Sequence, residues 1–223
     1  MSNVPRMLEE KRELIAAVMR EKVFECACAL LREEGWRAFT MEKLAARMGV
    51  AKGTLYNYFR DKESVILFIR DQVSAHVAAE LEAKMERTAD TRALLETCIV
   101  EMLRGMKEYH FLHAPLGEIV LRRLGTDTLQ DISDDGGAPR RALTKLIERG
   151  MREGVFRPGD AALTAALVQS AVAGVDMGCC FDGLLDTESE KVQEALCGVI
   201  LRGICTERLS PAIFRESAAS DHS

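Results

Sequence analysis

The chain has 223 residues, of which 48% are hydrophobic and 29% are charged, and this composition is that of an ordinary globular protein. The longest apolar runs are too short to span a bilayer, and the first residues lack the apolar core of a secretory signal. Seven cysteines are scattered along the chain, without the spacing of a disulfide framework. We therefore expect a cytoplasmic protein with free thiols and no membrane partner.

The first four predicted elements are helices, because apolar residues recur at steps of three and four. The first helix ends near Gly35, since glycine readily adopts the left-handed conformation that follows a helix C-terminus. Thr40 is a good N-cap for a short second helix, which ends at Gly49. A third helix is predicted over 51–59, and Asp61 caps a fourth that continues to about residue 87.

The polar segment 88–91 interrupts the pattern and predicts a boundary between two modules. Beyond it, we predict helices at 91–109, 115–125, 138–153, 160–183 and 188–206. The alternating patterns and tight-turn signals of β-hairpins are missing from the sequence. The fold class expected is all-α.

Charge is distributed unevenly, although the net charge of the whole chain is −5. Residues 36–62 carry six basic side chains and two acidic ones, a local balance of +4. The remaining residues carry 24 basic and 33 acidic side chains, a balance of −9. A basic module on an acidic body favours binding of a polyanion in one orientation, whereas the simpler alternative is a solvated charged surface.

The predicted third helix has an unusual exposed face. At 100° per residue, Leu55 and Phe59 point the same way and form the buried anchor, while Gly53 and Asn57 lie almost opposite. That outward face is small and polar, so it can enter a groove of duplex DNA, and the short turn before it has helix-turn-helix spacing. Each of these polar or aromatic residues alone is more often an ordinary surface residue; together they favour DNA binding.

These residues resemble the DNA-binding domain of the TetR (tetracycline-repressor-like) family of transcriptional regulators. The resemblance covers about residues 20–70, and a weaker similarity lies at 152–160. The residues that carry it are Phe24, Ala27, Leu31, Gly35, Thr40, Leu44, Ala45, the segment 48–50, the segment 52–59, Lys62 and Glu63. One departure is Ala51, which stands where such proteins often have a serine cap, so we expect weaker phosphate anchoring there.

The resemblance implies a fold and a set of DNA-contacting positions. It implies a three-helix DNA-binding domain with a helix-turn-helix over residues 9–70 and a larger helical effector-binding and dimerisation domain over 71–214, and we expect 1–8 and 215–223 to be disordered. The positions that the family uses against DNA are Thr40, Lys52, Gly53, Thr54, Tyr56, Asn57, Tyr58 and Lys62. The expected function is that of a repressor that binds a palindromic operator in double-stranded DNA as a homodimer and is released by a small-molecule effector.

The sequence supports dimerisation and effector binding less directly. The last two long helices carry stripes of small and branched residues that can pair in a four-helix bundle, with burial inside one chain as the alternative. These stripe residues are Ala165, Ala166, Val168, Ala171, Val172, Val175, Ala195, Val199 and Ile200. Few charges converge on the second module, so the effector is expected to be largely apolar. The candidate effector-binding residues are Cys98, Met102, Met106, His110, Phe111, Asp176 and Cys179.

Two other functions stay open at this point. A thiol- or metal-responsive DNA-binding regulator is suggested by Cys26 with Cys28, by His110 with His113 and by the pair at 179–180, although zinc-ribbon spacing is missing. An enzyme is disfavoured, because the sequence has no glycine-rich phosphate loop, nucleophile elbow or His-Glu-x-x-His motif. We expect no catalytic residues, no metal site and no cofactor.

Overall fold

The structure is a computed structural model that describes residues 4–123, 137–182 and 185–206, with side chains at most of these positions. Its elements, in chain order, are α1 (Val4–Ala38), α2 (Met41–Met48), α3 (Lys52–Tyr56), α4 (Lys62–Arg87), α5 (Thr91–Glu108), the 3₁₀ turn η1 (His110–Leu112), α6 (His113–Arg123), α7 (Gly137–Arg152), α8 (Ala161–Asp182) and α9 (Glu190–Ile204). Within the described ranges the only β pairing is an isolated bridge between Phe156 and Cys205. The predicted all-α fold is confirmed.

Most helix ends fall within a few residues of the sequence prediction, and two differences have local causes. Gly35 has a positive φ of 74°, as predicted, but the chain resumes a helical turn at once, so α1 extends to Ala38. The predicted break at 110–115 is instead the turn η1 followed directly by α6. In both places the local signal marks a change of direction rather than a loss of helix.

The chain forms two compact units, and the first contains the described residues up to 75 together with 109–123. Its core joins apolar side chains of α1 to α4 with two from the later segment, Leu112 and Ile119. Phe39, Leu44, Leu55 and Ile66 are all fully buried at its centre. The predicted boundary at residue 70 between a DNA-binding domain and an effector-binding domain stays a prediction. The sequence did not indicate that η1 and α6 share a core with the N-terminal helices.

The second unit contains residues 76–108 and the described residues from 137 onward. Its core is built on Leu95, Ile99, Leu146 and Phe156, which are fully buried. Several residues of the predicted dimer stripe are used here, since Ala165, Val168 and Val172 lie in this core. That part of the stripe is therefore explained by burial within one chain.

Arg149 of α7 fixes the end of α4 inside the second unit. Its guanidinium donates hydrogen bonds to the carbonyl oxygens of Met85 at 2.7 Å, Thr88 at 2.6 Å and Ala89 at 2.9 Å. The last carbonyls of a helix lack partners within the helix, so a cation placed there satisfies them and opposes the helix dipole. The boundary predicted at 88–91 is therefore a well-tethered turn.

None of the helices within the described ranges combines the length and the hydropathy that a membrane span requires.

Candidate nucleic-acid interface

The helix-turn-helix is built by local capping. Thr40 adopts an extended backbone, and its hydroxyl oxygen accepts a hydrogen bond from the N–H of Lys43 at 3.2 Å. At the other end of α2, Gly49 has a φ of 68°, and the N–H of Val50 donates back to the carbonyl oxygen of Ala45 at 3.0 Å. This closing pattern is a Schellman motif, which needs a residue tolerant of positive φ. The predicted cap and stop of α2 are both confirmed.

Helix α3 is held from one side only. Leu55 is fully buried and Phe59 is nearly so, and both pack in the core of the first unit. The helix proper is Lys52–Tyr56, shorter than the predicted 51–59, because the chain tightens into a turn in which the N–H groups of Tyr58 and Phe59 both donate to the carbonyl oxygen of Leu55 at 3.0 Å. The tightened turn still delivers Phe59 to the core, so the anchor works as predicted.

The opposite side of α3 faces solvent. Lys52, Gly53 and Asn57 are exposed and Thr54 is half-buried. Tyr56 and Tyr58 keep 41% and 37% of their surface exposed, which is unusual for large aromatic side chains. The structure thus brings these six predicted DNA-contacting residues together on α3 and the turn that follows it.

Gly53 has no structural reason to be glycine. Its φ lies outside the positive range, and a Cβ built on it would meet no atom outside its own helix within 4 Å. Glycine inside a helix costs about 1 kcal/mol relative to alanine. The folded chain therefore carries a cost at the centre of its exposed face without gaining any internal contact.

Several basic side chains near this surface form ion pairs with acidic side chains. The carboxylate of Glu42 pairs with Lys52, that of Glu34 pairs with Lys43, and Arg47 makes a two-pronged contact with Glu33 at 2.5 and 2.6 Å. The hydrogen bond from Lys52 lowers the pKa of Glu42, and the same bond raises the pKa of Lys52. The balance of +4 over residues 36–62 therefore overstates the positive charge available to a ligand, because Glu33 and Glu34 lie just before residue 36 and pair with Arg47 and Lys43.

The start of α4 completes the surface. Asp61 caps it, because its Oδ1 accepts from the N–H of Ser64 at 2.8 Å while its own N–H donates to the Ser64 hydroxyl at 3.2 Å. Burial works to raise the pKa of Asp61, but the bond from Ser64 and the neighbouring Arg60 hold that pKa below its usual value. Lys62, the first residue of α4, places its ammonium group 3.8 Å from the ring centroid of Trp36. This aromatic partner has no signal in the sequence.

The candidate effector residues are divided between the two units. Cys98 is buried in the second unit, where Met102 and Met106 pack against the same core and Asp176 is also buried. His110 and Phe111 belong to the first unit. The side chain of Cys179 lies outside the described residues. This set stays a prediction.

The described cysteines have the character of packing residues. Cys26, Cys28, Cys98, Cys197 and Cys205 are thiols that do not take part in disulfide bonds. Burial raises the pKa of Cys98 to about 12 and that of Cys197 to about 11, so both thiols are protonated at neutral pH and are poor nucleophiles. In the part of the chain with described side chains, no three His, Cys, Asp or Glu groups are close enough together to hold a metal ion.

The family model of bacterial regulatory proteins of the tetR family matches residues 23–67, which span the end of α1, the whole helix-turn-helix and the start of α4. Residues 23–67 therefore have the sequence of a TetR-family DNA-binding domain. This match agrees with the exposed face of α3 and with the resemblance carried by residues 20–70.

Named relatives of this chain are transcriptional or metabolic regulators. The transcriptional repressor KstR2 of Mycobacterium tuberculosis is 23% identical over 139 residues, which cover 62% of this chain and 70% of that protein. The fatty acid metabolism regulator protein of Bacillus subtilis is 22% identical over 138 residues, covering 62% and 71%. These relatives agree with the expectation that the chain is not an enzyme.

Solved structures share the fold. A TetR transcription regulator from Haloarcula marismortui superimposes with a TM-score of 0.68 at 19% identity, covering 85% of this chain and 99% of that one. A putative fatty acid metabolism regulator from Clostridium perfringens gives a TM-score of 0.62 at 20% identity, covering 83% and 100%. The all-helical arrangement is thus common to proteins of very different sequence.

Proposed function

We propose that this regulator is a cytoplasmic repressor that binds a palindromic operator as a homodimer and is released by a small, largely apolar effector. The observation that carries the DNA-binding part is Gly53, an exposed glycine that the fold does not require, at the centre of a face of polar and aromatic side chains. A missing side chain at this point lets the backbone of α3 approach the floor of the major groove. Thr54 and Asn57, close to Gly53 in the same segment, can then reach base edges.

Phosphate contacts come from the rim of the same surface. Lys52, Tyr56, Tyr58 and Lys62 surround the central residues, and Thr40 lies at the N-terminus of α2. Helix N-termini favour anions through unpaired N–H groups and the helix dipole. Side chains at the rim fix the orientation of the protein on DNA, whereas the central residues read the sequence.

Exposed apolar side chains on the last two helices support the homodimer. Leu163 and Leu167 of α8 are 58% and 62% exposed, and Val199 of α9 is 73% exposed. Leu163, Leu167 and two further exposed small residues, Ser170 and Gly174, recur at helical spacing along one face of α8. A symmetric pair of such faces would present two α3 helices to successive major grooves, about 34–36 Å apart, and a palindromic operator follows from that symmetry.

Two observations support an apolar effector: methionine side chains beside the core of the second unit, and the names of two similar proteins. The second unit offers Met102 and Met106 beside its core, and methionine adapts to apolar ligands. The names of the Bacillus subtilis and Clostridium perfringens proteins connect two similar proteins to fatty acid metabolism. Fatty acids therefore belong in any panel of apolar compounds tested for release of this chain from DNA.

The experiment that tests DNA binding compares Gly53→Ala with Gly117→Ala. Gly117 is an exposed helical glycine of α6 in the same unit, and a Cβ there also meets open space. Both substitutions are expected to raise the free energy of unfolding, by up to about 1 kcal/mol. Only Gly53→Ala is expected to weaken operator binding, by about tenfold or more, because the added methyl group separates α3 from the groove floor.

The operator for this measurement is obtained by selection of duplexes from a random pool with the full-length protein, and affinity is measured by fluorescence anisotropy. Enrichment of a palindromic duplex and selective loss of affinity in Gly53→Ala would support the proposal. Failure to enrich any duplex, or equal affinity of the Gly53→Ala and unaltered proteins, would contradict it.

A further inference from the structure

Side chains from three separate segments of the first unit meet around Trp36, the single tryptophan of the chain. Trp36 lies at the end of α1 and is 7% exposed. Lys62 opens α4, and Glu118 and Arg122 are one turn apart on α6. The sequence places Glu118 82 residues from Trp36, so only the fold brings them together.

The contacts form a continuous chain from α6 to the start of α4. The indole N–H of Trp36 donates to Oε2 of Glu118 at 2.6 Å. The other oxygen of Glu118 pairs with Arg122 at 3.2 Å, and Arg122 pairs in turn with Glu63 at 2.6 Å. The face of the Trp36 ring receives the ammonium group of Lys62 at 3.8 Å from the ring centroid. Both carboxylate oxygens of Glu118 therefore have a partner: one accepts from Trp36, whose ring contacts Lys62, and the other pairs with Arg122.

Attachment of α6 does not depend on this polar chain. Leu112 and Ile119 are almost fully buried in the core of the first unit and supply the apolar contact of the η1–α6 segment. Glu118 and Arg122 keep about half of their side-chain surface in solvent, and exposed ion pairs contribute little to stability. What the hydrogen bond from Trp36 to Glu118 does fix is the orientation of the indole ring, and a cation over a ring is attracted only to its face.

We propose that Glu118 is a positioning residue for DNA binding, which acts through Trp36 to hold the Lys62 ammonium group at the rim of the interface. This inference rests on the proposed function, because it takes Lys62 to contact a phosphate. Lys62 is the first residue of α4 and directly follows the cap residue Asp61. Removing the carboxylate takes away the acceptor of the indole N–H, so we expect the buried ring to shift within its packing against Phe39 and the lysine to move with it.

The test is a double-mutant cycle on operator affinity, made with the full chain and the selected duplex. Lys62→Ala is expected to weaken binding by about tenfold and to reduce the slope of log affinity against log salt by about one phosphate contact. Glu118→Leu is expected to give a similar loss and a similar change in slope. In the double variant the losses should not add, because Glu118 acts only through Lys62.

Two further variants separate positioning from attachment of α6. Glu118→Gln keeps an oxygen that accepts the indole N–H, so it is expected to restore affinity to near that of the unaltered chain. Ile119→Ala weakens the apolar contact of α6 but leaves the polar chain intact, so its salt slope is expected to stay unchanged. Fluorescence of the single tryptophan should change in Glu118→Leu and remain nearly unchanged in Glu118→Gln.

The inference is overturned if Glu118→Leu binds the operator as the unaltered chain does, or if its loss adds fully to that of Lys62→Ala. If the unaltered chain binds the operator and the Glu118→Leu variant binds it with the same affinity, the proposed function stands and only this inference is removed. Absence of operator binding by the unaltered chain would overturn both.

Discussion

Side chains around α3 are paired with one another in the free protein, so DNA bound as proposed would compete for some of them. The carboxylate of Glu42 on α2 pairs with Lys52 on α3, and both side chains are more than half exposed. A phosphate that approaches Lys52 displaces Glu42 and meets its negative charge at short range. Glu42 therefore opposes DNA binding on electrostatic grounds, while its pair with Lys52 orders the lysine.

We expect Glu42→Gln to strengthen operator binding by about three- to fivefold at low salt, and the gain to shrink as salt screens exposed charges. The matched control is Glu82→Gln, since Glu82 pairs with Lys145 in a similarly exposed pair in the second unit. Affinity and its salt dependence are measured by anisotropy. Unchanged or weaker binding by Glu42→Gln would show that ordering of Lys52 outweighs repulsion.

The pH dependence of this effect follows from the same pair. The hydrogen bond from Lys52 lowers the pKa of Glu42. The carboxylate of Glu42 therefore stays ionised at a pH where a free glutamate begins to take up a proton. The advantage of Glu42→Gln is therefore expected to be the same at pH 8 and at pH 6. A gain that disappears on going from pH 8 to pH 6 would mean that another group controls it.

Elements of the second unit are packed through close contacts as well as through apolar burial. Gly150 of α7 lies beneath the ring of the fully buried Phe156, and a Cβ at Gly150 would come within 2.1 Å of that ring. Gly150→Ala is expected to destabilise the chain by about 1–3 kcal/mol, because the ring has to move within a packed core. Gly105→Ala in α5, where a Cβ meets open space, is the control and is expected to be neutral or stabilising.

Unfolding in urea measures both glycine variants. Equal stability of Gly150→Ala and the unaltered chain would show that the loop carrying Phe156 yields without cost.

Local signals in the sequence predicted the elements, because capping depends on neighbours in the chain. Thr40, Gly49 and Asp61 each act within four residues, so the residue type and its position are enough to predict each role. The exposed face of α3 was also predictable, since it follows from helical geometry and one anchor, Leu55.

Contacts between distant segments could not be predicted in the same way. The bond from Trp36 to Glu118 joins residues 82 apart, and no periodicity marks either one. The dimer stripe failed in part for a related reason: Ala165 and Val172 face the core, Leu167 faces solvent, and small apolar residues suit both surroundings. The effector set mixes residues of two compact units because proximity in sequence near 110 does not give proximity in space.

At the scale of the whole molecule, the proposed homodimer determines how tightly DNA is held. Two linked binding sites on one palindrome bind far more tightly than either site alone. Leu167→Glu places a charge on the exposed face of α8, so we expect the variant to be a monomer. Its operator affinity is expected to fall by a factor of about 100 or more, because a monomer binds only one half of the palindrome. The control is Leu121→Glu, since Leu121 is 69% exposed on α6, outside the proposed interface.

Sedimentation velocity gives the oligomeric state and anisotropy gives the affinity of the Leu167→Glu and Leu121→Glu proteins. A Leu167→Glu protein that remains dimeric, or an unaltered protein that is already a monomer, would rule out α8 as the dimer contact.

Helix α3 has only five residues, fewer than two turns, and the residue before it, Ala51, provides no side-chain cap. A helix so short does not persist on its own in water, because the cost of nucleation exceeds what a few hydrogen bonds return. The proposed DNA-contacting helix therefore depends for its shape on the core beneath Leu55, and we expect it not to fold as an isolated peptide. We expect heat or a mutation that loosens that core to abolish operator binding.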